Sequence, residues 1–384
     1  PLYSSAASDV YKRQVILTPL ILPNWHHPSR VMLFFAHFLY AKSLVAQCFF
    51  HGINLHDVYW HGVYDLPPED TAIMTMPANP LMLEAEHWQD YRLIDSGHGR
   101  KLEEVGPYRF IRPEAQALWS PALDEEAWGK VDGEFISSST GRERDEAEAG
   151  KWNLSPNLPE TWRVHYDGLA FQAMPTPFRH LGFFPEQSAH WNWCAGRITE
   201  RVNAGGDKPA VLNLFGYTGV ASLHAARAGA EVTHVDSSKK AITQAFANRD
   251  TAGMQDAPIR FITEDARSFV QREARRGRQY QGVILDPPKY GRGAKGEVWR
   301  MEEDIAPLLR DISAILAKDA LFVVLTSYAI RSSFLSLHHL MDDVFGASGE
   351  VASGEVQSGE LSVREETGRG YRLGQAIFSR WQAG

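Results

Sequence analysis

The segment that most constrains the fold is residues 211–219, VLNLFGYTG. Its first four residues predict a buried strand, and Gly216 and Gly219 predict a turn in which the backbone can approach a ligand closely. Residues 220–228 are rich in helix formers and stop before Gly229, which suits a helix C-cap. The segment therefore predicts a strand, a glycine turn and a helix, which together form the first half of a βαβ unit.

A second predicted strand, residues 231–235, ends at Asp236, about twenty residues after Gly216. This is the spacing at which a nucleotide-binding βαβ unit places a carboxylate on ribose hydroxyls. The turn has the form G-x-x-G, whereas the G-x-G-x-x-G form seats a pyrophosphate on the helix N-terminus. We therefore favour a nucleoside without phosphates, such as S-adenosylmethionine (SAM). The alternative is an ordinary βα turn without a ligand.

Composition limits the class of protein. A chain of 384 residues predicts two or three domains, and 44% hydrophobic with 22% charged residues is typical of a soluble globular protein. The net charge of −8 means that the chain as a whole is not basic, so nucleic-acid binding would need a local basic patch. The two cysteines, Cys48 and Cys194, exclude a disulfide framework and a cysteine-rich zinc site. We expect a cytoplasmic protein without a metal, and leave its oligomeric state open.

Residues 1–73 differ in texture from the rest, and we interpret them as an extension foreign to the natural protein. Residues 1–14, PLYSSAASDVYKRQ, resemble a translated sequencing adapter, and we expect the natural start at Met74 or Met76. Residues 31–50 are apolar but interrupted by polar and charged side chains, including Lys42. The alternative is that this stretch is a membrane anchor.

Residues 74–185 predict a smaller β-rich domain. Short β-prone runs alternate with turn residues, and Asp167-Gly168 is a strong hairpin signal. The polar residues 137–150 predict a loop. The domain could recognise the substrate or serve as a structural lid. The predicted strands are 91–94, 108–111, 161–166 and 169–171.

From residue 186 to 384 the chain predicts a second, larger domain. Strands alternate with helices, which indicates an α/β fold with a doubly wound, mostly parallel sheet. The first helix runs from Ser188, as its N-cap, to about Val202, and a hairpin over 359–381 closes the chain as an antiparallel edge. After the βαβ unit, helices are predicted at 239–252, 266–275, 305–316 and 334–345, and strands at 259–262, 282–285 and 320–325.

Acidic residues follow three of the predicted strands. In a doubly wound sheet, ligands bind at the carboxyl ends of the strands, and Asp236, Asp265 and Asp286 all fall there. Asp265 could accept a hydrogen bond from an adenine amino group. The neighbouring Glu264 could act at the site or could equally be a helix N-cap.

The most specific motif is residues 286–290, DPPKY. Two prolines lock an extended backbone directly after a buried strand, and this arrangement can hold a planar amine or ring. Asp286 and the carbonyl of Pro287 would be the acceptors, and Tyr290 could stack on an aromatic face. The alternative is a rigid loop that only ends the strand. Arg292 and Lys295, which follow in a glycine-rich loop, are candidate phosphate contacts.

Residues from about 179 to 381 resemble a class I SAM-dependent methyltransferase. They are most similar to the bacterial family that contains the 23S ribosomal RNA cytosine-C5 and guanine-N7 methyltransferases. The resemblance implies SAM as cofactor and a Rossmann-like methyltransferase fold with a seven-stranded sheet. The motifs that carry it are 183–187 FFPEQ, 213–219 NLFGYTG, 235–238 VDSS, 264–266 EDA and 286–289 DPPK.

The resemblance also implies site residues. Residues 215–219 would pass beside the methionine moiety, Asp236 would take the ribose hydroxyls and Asp265 the adenine amine. The methyl-transfer site would be formed by Asp286, Pro287, Lys289 and Tyr290. The implied cofactor-binding set is Gln187, Phe215, Gly216, Thr218, Gly219, Asp236, Ser237, Asp265, Ala266 and Asp286.

One departure from the family bears on the reaction. Cytosine-C5 methylation needs a cysteine thiolate that attacks the ring, and the family members with that chemistry carry cysteines just after the fifth strand. Here that position has residues 326–331, TSYAIR, and Cys194 lies far from any motif. We therefore predict methyl transfer to a nitrogen or oxygen of RNA, with ribosomal RNA as the expected substrate. A target inside a duplex would have to be flipped out.

Three alternatives stay open at this point. The same enzyme could act on a protein or small molecule, as the acidic net charge allows. The chain could be a NAD-binding oxidoreductase, although the missing third glycine and the DPPK motif argue against this. It could also bind SAM without catalysis. A basic surface around Arg292 and Lys295 would favour RNA.

Overall fold

The computed structural model describes residues 80–137, 150–293, 296–328, 332–346 and 354–384. The predicted extension 1–73 with its alternative anchor lies outside these residues, as do Cys48, Lys295, Arg331 and the centre of the predicted polar loop. The described residues belong to one compact unit. No helix in these ranges is long and apolar enough to cross a membrane.

The first half of the described chain is rich in strands. A five-stranded sheet has the order β2-β3-β4-β5-β6, and β7 pairs with β8 in a separate hairpin. The elements are β1 Leu81–Glu84, β2 Tyr91–Gly97, β3 Arg100–Val105, β4 Tyr108–Pro113, α1 Glu125–Trp128, β5 Gly133–Ser137, β6 Gly150–Leu154, β7 Trp162–Tyr166 and β8 Leu169–Ala173.

The second half alternates helices and strands, after a 3₁₀ turn at Pro185–Gln187. Between β12 and α6 it also carries a short hairpin, β13–β14. The elements are α2 Ser188–Asn203, β9 Ala210–Leu214, α3 Val220–Arg227, β10 Glu231–Asp236, α4 Lys239–Thr251, β11 Ile259–Thr263, α5 Ala266–Arg275, β12 Gly282–Leu285, β13 Tyr290–Arg292, β14 Val298–Arg300, α6 Met301–Ser313, β15 Phe322–Ser327, α7 Phe334–Phe345, β16 Gly354–Arg364 and β17 Arg372–Ala383.

The main sheet has eight strands in the order β1-β16-β17-β15-β12-β9-β10-β11. Strands β9, β10, β11, β12 and β15 are parallel to their neighbours in this group, while β17 is antiparallel to both β15 and β16. The order reverses at β9, so the first βα turn opens at the position where open α/β sheets bind ligands. The predicted doubly wound, mostly parallel fold is confirmed.

Both faces of this sheet are buried, and adjacent residues of one strand serve different faces. In β9, Leu212 joins the apolar cluster beneath α5, α6 and α7, whereas Val211 joins the cluster with α2 and α3. In β12, Val283 and Ile284 divide in the same way. Since side chains alternate across a strand, a continuous apolar run is required where helices cover both faces. The sheet core therefore fixes the ends of these strands, on which the site is built.

Two differences concern the sheet edge. Seven strands were predicted, but Leu81–Glu84 adds an eighth, parallel to β16. The closing hairpin therefore lies inside the sheet, so its prediction as an antiparallel edge was wrong. Its strands also run further than the predicted 359–381 at both ends. The eighth strand comes from the predicted small domain, and a four-residue segment with no local hairpin gives little sequence signal.

Strand β3 was not predicted because its sequence, RKLEEV, is mostly charged. In the fold, Glu103 is fully buried and accepts hydrogen bonds from Arg112 Nε at 2.6 Å and from Tyr91 Oη at 2.8 Å. Burial alone would raise the pKa of Glu103, but Arg112 and Lys101 outweigh it and lower that pKa to about 2. Buried charges with partners on neighbouring strands thus replace the apolar alternation that identifies a strand.

Several helix and strand ends differ from the predictions, including those of α6, β15 and α2. Helix α6 begins at Met301 instead of residue 305, because Asp304 accepts a hydrogen bond from the backbone N–H of Arg300 at 2.7 Å. Strand β15 covers Phe322–Ser327 instead of 320–325. Ser188 was predicted as an N-cap, but it is the first residue of α2, and Gln187 precedes it in the 3₁₀ turn.

Candidate active site

The turn after β9 has an unusual backbone. Phe215 and Tyr217 have positive φ angles of 54° and 49°, and Gly219 has a φ of 83°. Non-glycine residues adopt this left-handed region only at a cost in free energy, which the surrounding structure must outweigh. A Cβ on Gly216 would lie 2.4 Å from Cε1 of His234. The turn is therefore pressed against the neighbouring strand β10, and glycine is required at residue 216.

Asp236, the last residue of β10, holds this turn. Its Oδ2 accepts a hydrogen bond from the backbone N–H of Tyr217 at 3.0 Å, and its Oδ1 accepts one from that of Ser238 at 2.8 Å. Burial raises the pKa of Asp236, and the two hydrogen bonds act in the opposite direction. A carboxylate has about four lone-pair positions, so the side chain keeps acceptor capacity for a ligand hydroxyl.

A cleft opens beside Asp236 at the carboxyl ends of the strands. The cleft has an empty volume of about 390 Å³, part of which is open to solvent. One wall is aromatic, with the ring centroids of Phe215 and Trp299 4.8 Å apart. Flat apolar walls beside carboxylates suit a purine and the hydroxyls of a ribose. The cleft is lined by Phe215, Val235, Asp236, Ser237, Glu264, Asp265, Ala266, Pro288, Gly291, Arg292, Gly293, Glu297 and Trp299.

The two acids after β11 have different roles. Asp265 is the N-cap of α5, and its Oδ1 accepts a hydrogen bond from the backbone N–H of Ser268 at 2.8 Å. Glu264, for which capping was one alternative, instead forms an ion pair with Arg272. Both side chains line the cleft. The helix start at Ala266 thus sets the position of the acid predicted to meet adenine.

Asp286 follows β12 and faces a second group of polar residues. Its Oδ2 accepts a hydrogen bond from Gln187 Nε2 at 3.0 Å. Burial raises the pKa of Asp286 well above its ordinary value, and the nearby carboxyl of Glu186 adds to this shift. Burial likewise raises the pKa of Glu186. Two carboxyl groups whose pKa values are raised at a strand end are typical of sites that transfer protons.

The hairpin β13–β14 follows the DPPK motif directly. Trp299 Nε1 donates a hydrogen bond to the carbonyl of Pro288 at 2.7 Å, which ties the hairpin to the motif. Tyr290 is 50% exposed, and its hydroxyl accepts a hydrogen bond from Arg292 Nε at 2.8 Å. The structure thus brings an exposed aromatic ring and a cation together beside the cleft.

The predicted cofactor residues fall into three groups. Phe215, Asp236, Ser237, Asp265 and Ala266 line the cleft together. Gly216, Thr218 and Gly219 shape the turn, where the Thr218 hydroxyl donates to the carbonyl of Gly182 at 2.8 Å. Gln187 and Asp286 bond to each other.

Sequence reasoning missed several residues at or near the site, among them Glu186, Glu297, Trp299 and Tyr328. Glu186 lay inside the motif 183–187, which was already recognised, so that motif could have identified it. Trp299 lies in the unpredicted hairpin. Tyr328 stands just after β15, and burial together with the charges of Glu186 and Asp286 raises the pKa of its hydroxyl well above the ordinary value.

Cys194 lies away from this site. It is buried in α2, within the cluster that contains Val211 and Phe322. Burial raises the pKa of its thiol to about 12. A thiolate is the reactive form of cysteine, so this side chain is inert at neutral pH.

Comparisons with known proteins bear on the family of this chain. The family model described as "Conserved hypothetical protein 95" matches residues 187–341. The SAM-dependent methyltransferase of Agrobacterium tumefaciens, a crystal structure, is 45% identical with a TM-score of 0.73, and the match covers 80% of this chain and 96% of that one.

Two curated relatives match over shorter stretches. The ribosomal RNA large subunit methyltransferase K/L of Shewanella frigidimarina is 34% identical over 32% of this chain and 17% of its own length. The ribosomal RNA large subunit methyltransferase I of Aeromonas salmonicida is 35% identical over 21% of this chain and 20% of its own length. The chain thus spans about a fifth of these relatives.

The match to the Agrobacterium protein extends over nearly all of that protein and over four fifths of this chain. It sets aside the alternative of a NAD-binding oxidoreductase. The chain belongs to the class I SAM-dependent methyltransferases and is an enzyme that uses S-adenosylmethionine as its methyl donor.

Proposed function

We propose that this enzyme methylates RNA, with ribosomal RNA as the expected substrate. The observation that carries the proposal is the hairpin β13–β14 directly after Asp286, with exposed Tyr290 beside Arg292. An exposed ring stacks on any base, and arginine contacts phosphate. The names of both curated relatives support the same substrate class. A ribosomal RNA substrate implies that the enzyme acts in the cytoplasm.

Within the cleft, Asp236 would take the ribose hydroxyls and Asp265 the adenine amine. Phe215 and Trp299 would contact the apolar faces of the nucleoside. SAM supplies an electrophilic methyl group on a sulfonium. Because such a donor needs no activation by the protein, the task of these residues is to bind and orient the reactants, which can supply much of the rate acceleration.

We place the acceptor atom on a nitrogen or oxygen. Within the described residues the only cysteine is Cys194, which is buried and far in the sequence from the motifs. The position after β15 holds Tyr328. Without a thiolate to attack C6 of a pyrimidine, the C5 carbon stays a poor nucleophile. An amine, ring nitrogen or hydroxyl already carries the lone pair that displacement needs.

Asp286 and Glu186 would accept the proton that the acceptor atom loses. When the acceptor lone pair displaces the neutral thioether from the methyl carbon, the carbon–sulfur bond breaks, and an N–H or O–H hydrogen of the acceptor becomes acidic and must leave. A carboxylate with a raised pKa is well matched to accept it. Gln187 would orient the carboxylate of Asp286 through the 3.0 Å hydrogen bond. Lys289, next to the motif prolines, would contact the substrate backbone.

The β-rich residues 74–185 would form the substrate-recognition domain of this enzyme. Their core is shared with the larger half, since Val164 and Phe171 lie in one apolar cluster with Trp191 of α2 and Val363 of β16. A recognition domain that shares a core with the catalytic sheet would hold its substrate in a fixed position relative to the cleft.

The test is mass spectrometry of nucleosides in ribosomal RNA from a deletion strain. We expect one modified nucleoside to disappear and to return on complementation with the wild-type gene but not with Asp286→Ala. The identity of that nucleoside reports the acceptor atom. If every modification persists, the RNA proposal fails, and a protein or small molecule becomes the acceptor to seek with purified enzyme and radiolabelled SAM.

A further inference from the structure

Five aromatic side chains form a continuous row from the protein surface to the methyl-transfer site. Successive ring centroids lie 5.8 Å apart for Phe178 and His180, 5.2 Å for His180 and Phe184, and 5.2 Å for Phe184 and Tyr328. Tyr217 joins the row at its middle, with its ring centroid 5.5 Å from that of His180. We call these residues, Phe178, His180, Phe184, Tyr217 and Tyr328, the aromatic row.

The inner end of the row belongs to the site. Tyr328 directly follows β15, and its ring centroid lies 5.2 Å from that of Phe184. Phe184 directly precedes the 3₁₀ turn that carries Glu186 and Gln187. Tyr217 donates its backbone N–H to Asp236. A group that moved along the row would therefore arrive at the proposed acceptor position.

The outer end is exposed but held in place. Phe178 is 49% exposed, with its ring nearly parallel to that of His180 at an interplanar angle of 25°. Trp152 Nε1, from β6, donates hydrogen bonds to the carbonyls of Thr176 at 2.7 Å and of Phe178 at 3.1 Å. Arg112 Nη1 donates to the carbonyl of Arg179 at 3.1 Å.

The stability of the fold does not by itself explain why hydrogen bonds hold this exposed turn in place. A phenylalanine that is half exposed contributes little apolar burial, yet the side chains of Trp152 and Arg112 hold the backbone of the turn that carries it. A preorganised aromatic ring loses little conformational entropy when a ligand stacks on it. Arg179, next to Phe178, supplies a cation for a nearby phosphate.

We propose that the aromatic row is a stacking platform for the unpaired bases that flank the target nucleotide in the RNA substrate. Base-on-ring stacking accepts every base, since each has a π face, and it favours single strands over duplexes. The inference rests on the proposed function, and it adds the class of RNA segment that this site binds. It also gives the β-rich region the specific task of holding the outer end of the platform.

The test measures binding of a single-stranded 12-nucleotide RNA that carries a central 2-aminopurine, because stacking changes the fluorescence of that base. We expect Phe178→Ala to weaken binding roughly 5- to 100-fold, which corresponds to the loss of one stacked base. Phe178→Trp should restore binding. The affinity for SAM, measured by calorimetry, should stay within about twofold of wild type, because Phe178 does not line the cofactor cleft.

Two controls separate stacking from general effects. Phe246, which is 40% exposed and packs on Phe261, lies outside the row, so Phe246→Ala should leave RNA affinity unchanged. Trp152→Phe keeps an aromatic ring at this position but removes both hydrogen bonds to the turn. We expect it to lose less RNA affinity than Phe178→Ala. The same RNA annealed to its complement should bind more weakly to the wild type and be insensitive to Phe178→Ala.

The outcomes also separate this inference from the proposed function. If the wild type methylates ribosomal RNA and Phe178→Ala binds the single strand equally well, the platform is wrong and the proposed function stands. If Phe246→Ala loses as much affinity as Phe178→Ala, the platform is wrong as well. If the wild type neither binds nor methylates RNA, both fail.

Discussion

Gln187 Nε2 lies 3.0 Å from Oδ2 of Asp286 and donates a hydrogen bond to it, across 99 residues of sequence. Gln187 is the last residue of the 3₁₀ turn before α2, whereas Asp286 is the first residue after β12. The orientation of the carboxyl at the methyl-transfer site therefore depends on a segment that precedes the first strand of the cofactor-binding unit.

This bond leads to a prediction for the pH dependence of methyl transfer. Because the hydrogen bond from Gln187 lowers the pKa of Asp286, Gln187→Leu should raise that pKa further. If the carboxylate is the active form, the rising limb of the kcat/KM profile moves to higher pH. Gln244→Leu, which alters an amide bonded to Gln172, is the control and should leave the limb in place.

Asp286→Asn should stabilise the protein while it abolishes methyl transfer. Because burial raises the folded-state pKa of Asp286, the favourable contribution of the protonated side chain is fully present below the unfolded pKa and is lost as the pH rises. At pH 7 the variant should be more stable than the wild type, because a neutral amide avoids the cost of ionising a buried carboxyl group. Denaturant unfolding at pH 7 and pH 3.5 checks this, and the gain should vanish at the lower pH.

Asp236→Ala should weaken SAM binding by about 1–3 kcal/mol, the usual cost of removing a hydrogen bond to a charged group. It also removes the acceptor for the backbone N–H of Tyr217, so the turn after β9 loosens. Asp236→Asn keeps one acceptor oxygen and should lose less affinity. Calorimetric titration with SAM measures both variants, and an unchanged affinity in Asp236→Ala would contradict the ribose assignment.

The replacement Cys194→Ala should leave the rate of methyl transfer within about twofold of wild type. Burial raises the pKa of this thiol to about 12, and its neighbours are apolar core residues. The loss of the buried sulfur should cost about 1 kcal/mol of unfolding free energy. The matched variant Cys48→Ala tests the second cysteine. A folded cysteine variant without activity would reinstate a thiol mechanism.

The elements of the main sheet were predicted correctly where the local pattern of apolar and polar residues specifies one element. Residues 282–285 and 334–345 were predicted with their observed bounds, since a short apolar run between polar residues and a long apolar periodicity each specify one element. Strand β3 was not predicted because its charged residues Lys101 and Glu103 are buried, with Glu103 paired to Arg112 on β4. Such pairing is a tertiary property, and no window of local sequence contains it.

The cofactor cleft was predictable to a similar extent. Asp236 and Asp265 follow predicted strands, and parallel strands bring their carboxyl ends to one edge. The structure adds that each carboxylate also bonds backbone N–H groups, so both acids shape the site in addition to any contact with a ligand. The wall formed by Trp299 depends on a hairpin whose strands have three residues each, too short for a recognisable period.

What the sequence by itself determined was the alternation of strands and helices in the larger predicted domain, the glycine turn and the DPPK motif, because each depends on neighbours within a few residues. Only the tertiary structure decided which distant side chains meet: Gln187 with Asp286, Trp152 with the Phe178 turn, and Tyr328 with Phe184. These contacts result from the crossing of separate segments in a packed core, where burial and hydrogen-bond geometry select partners that no local periodicity encodes.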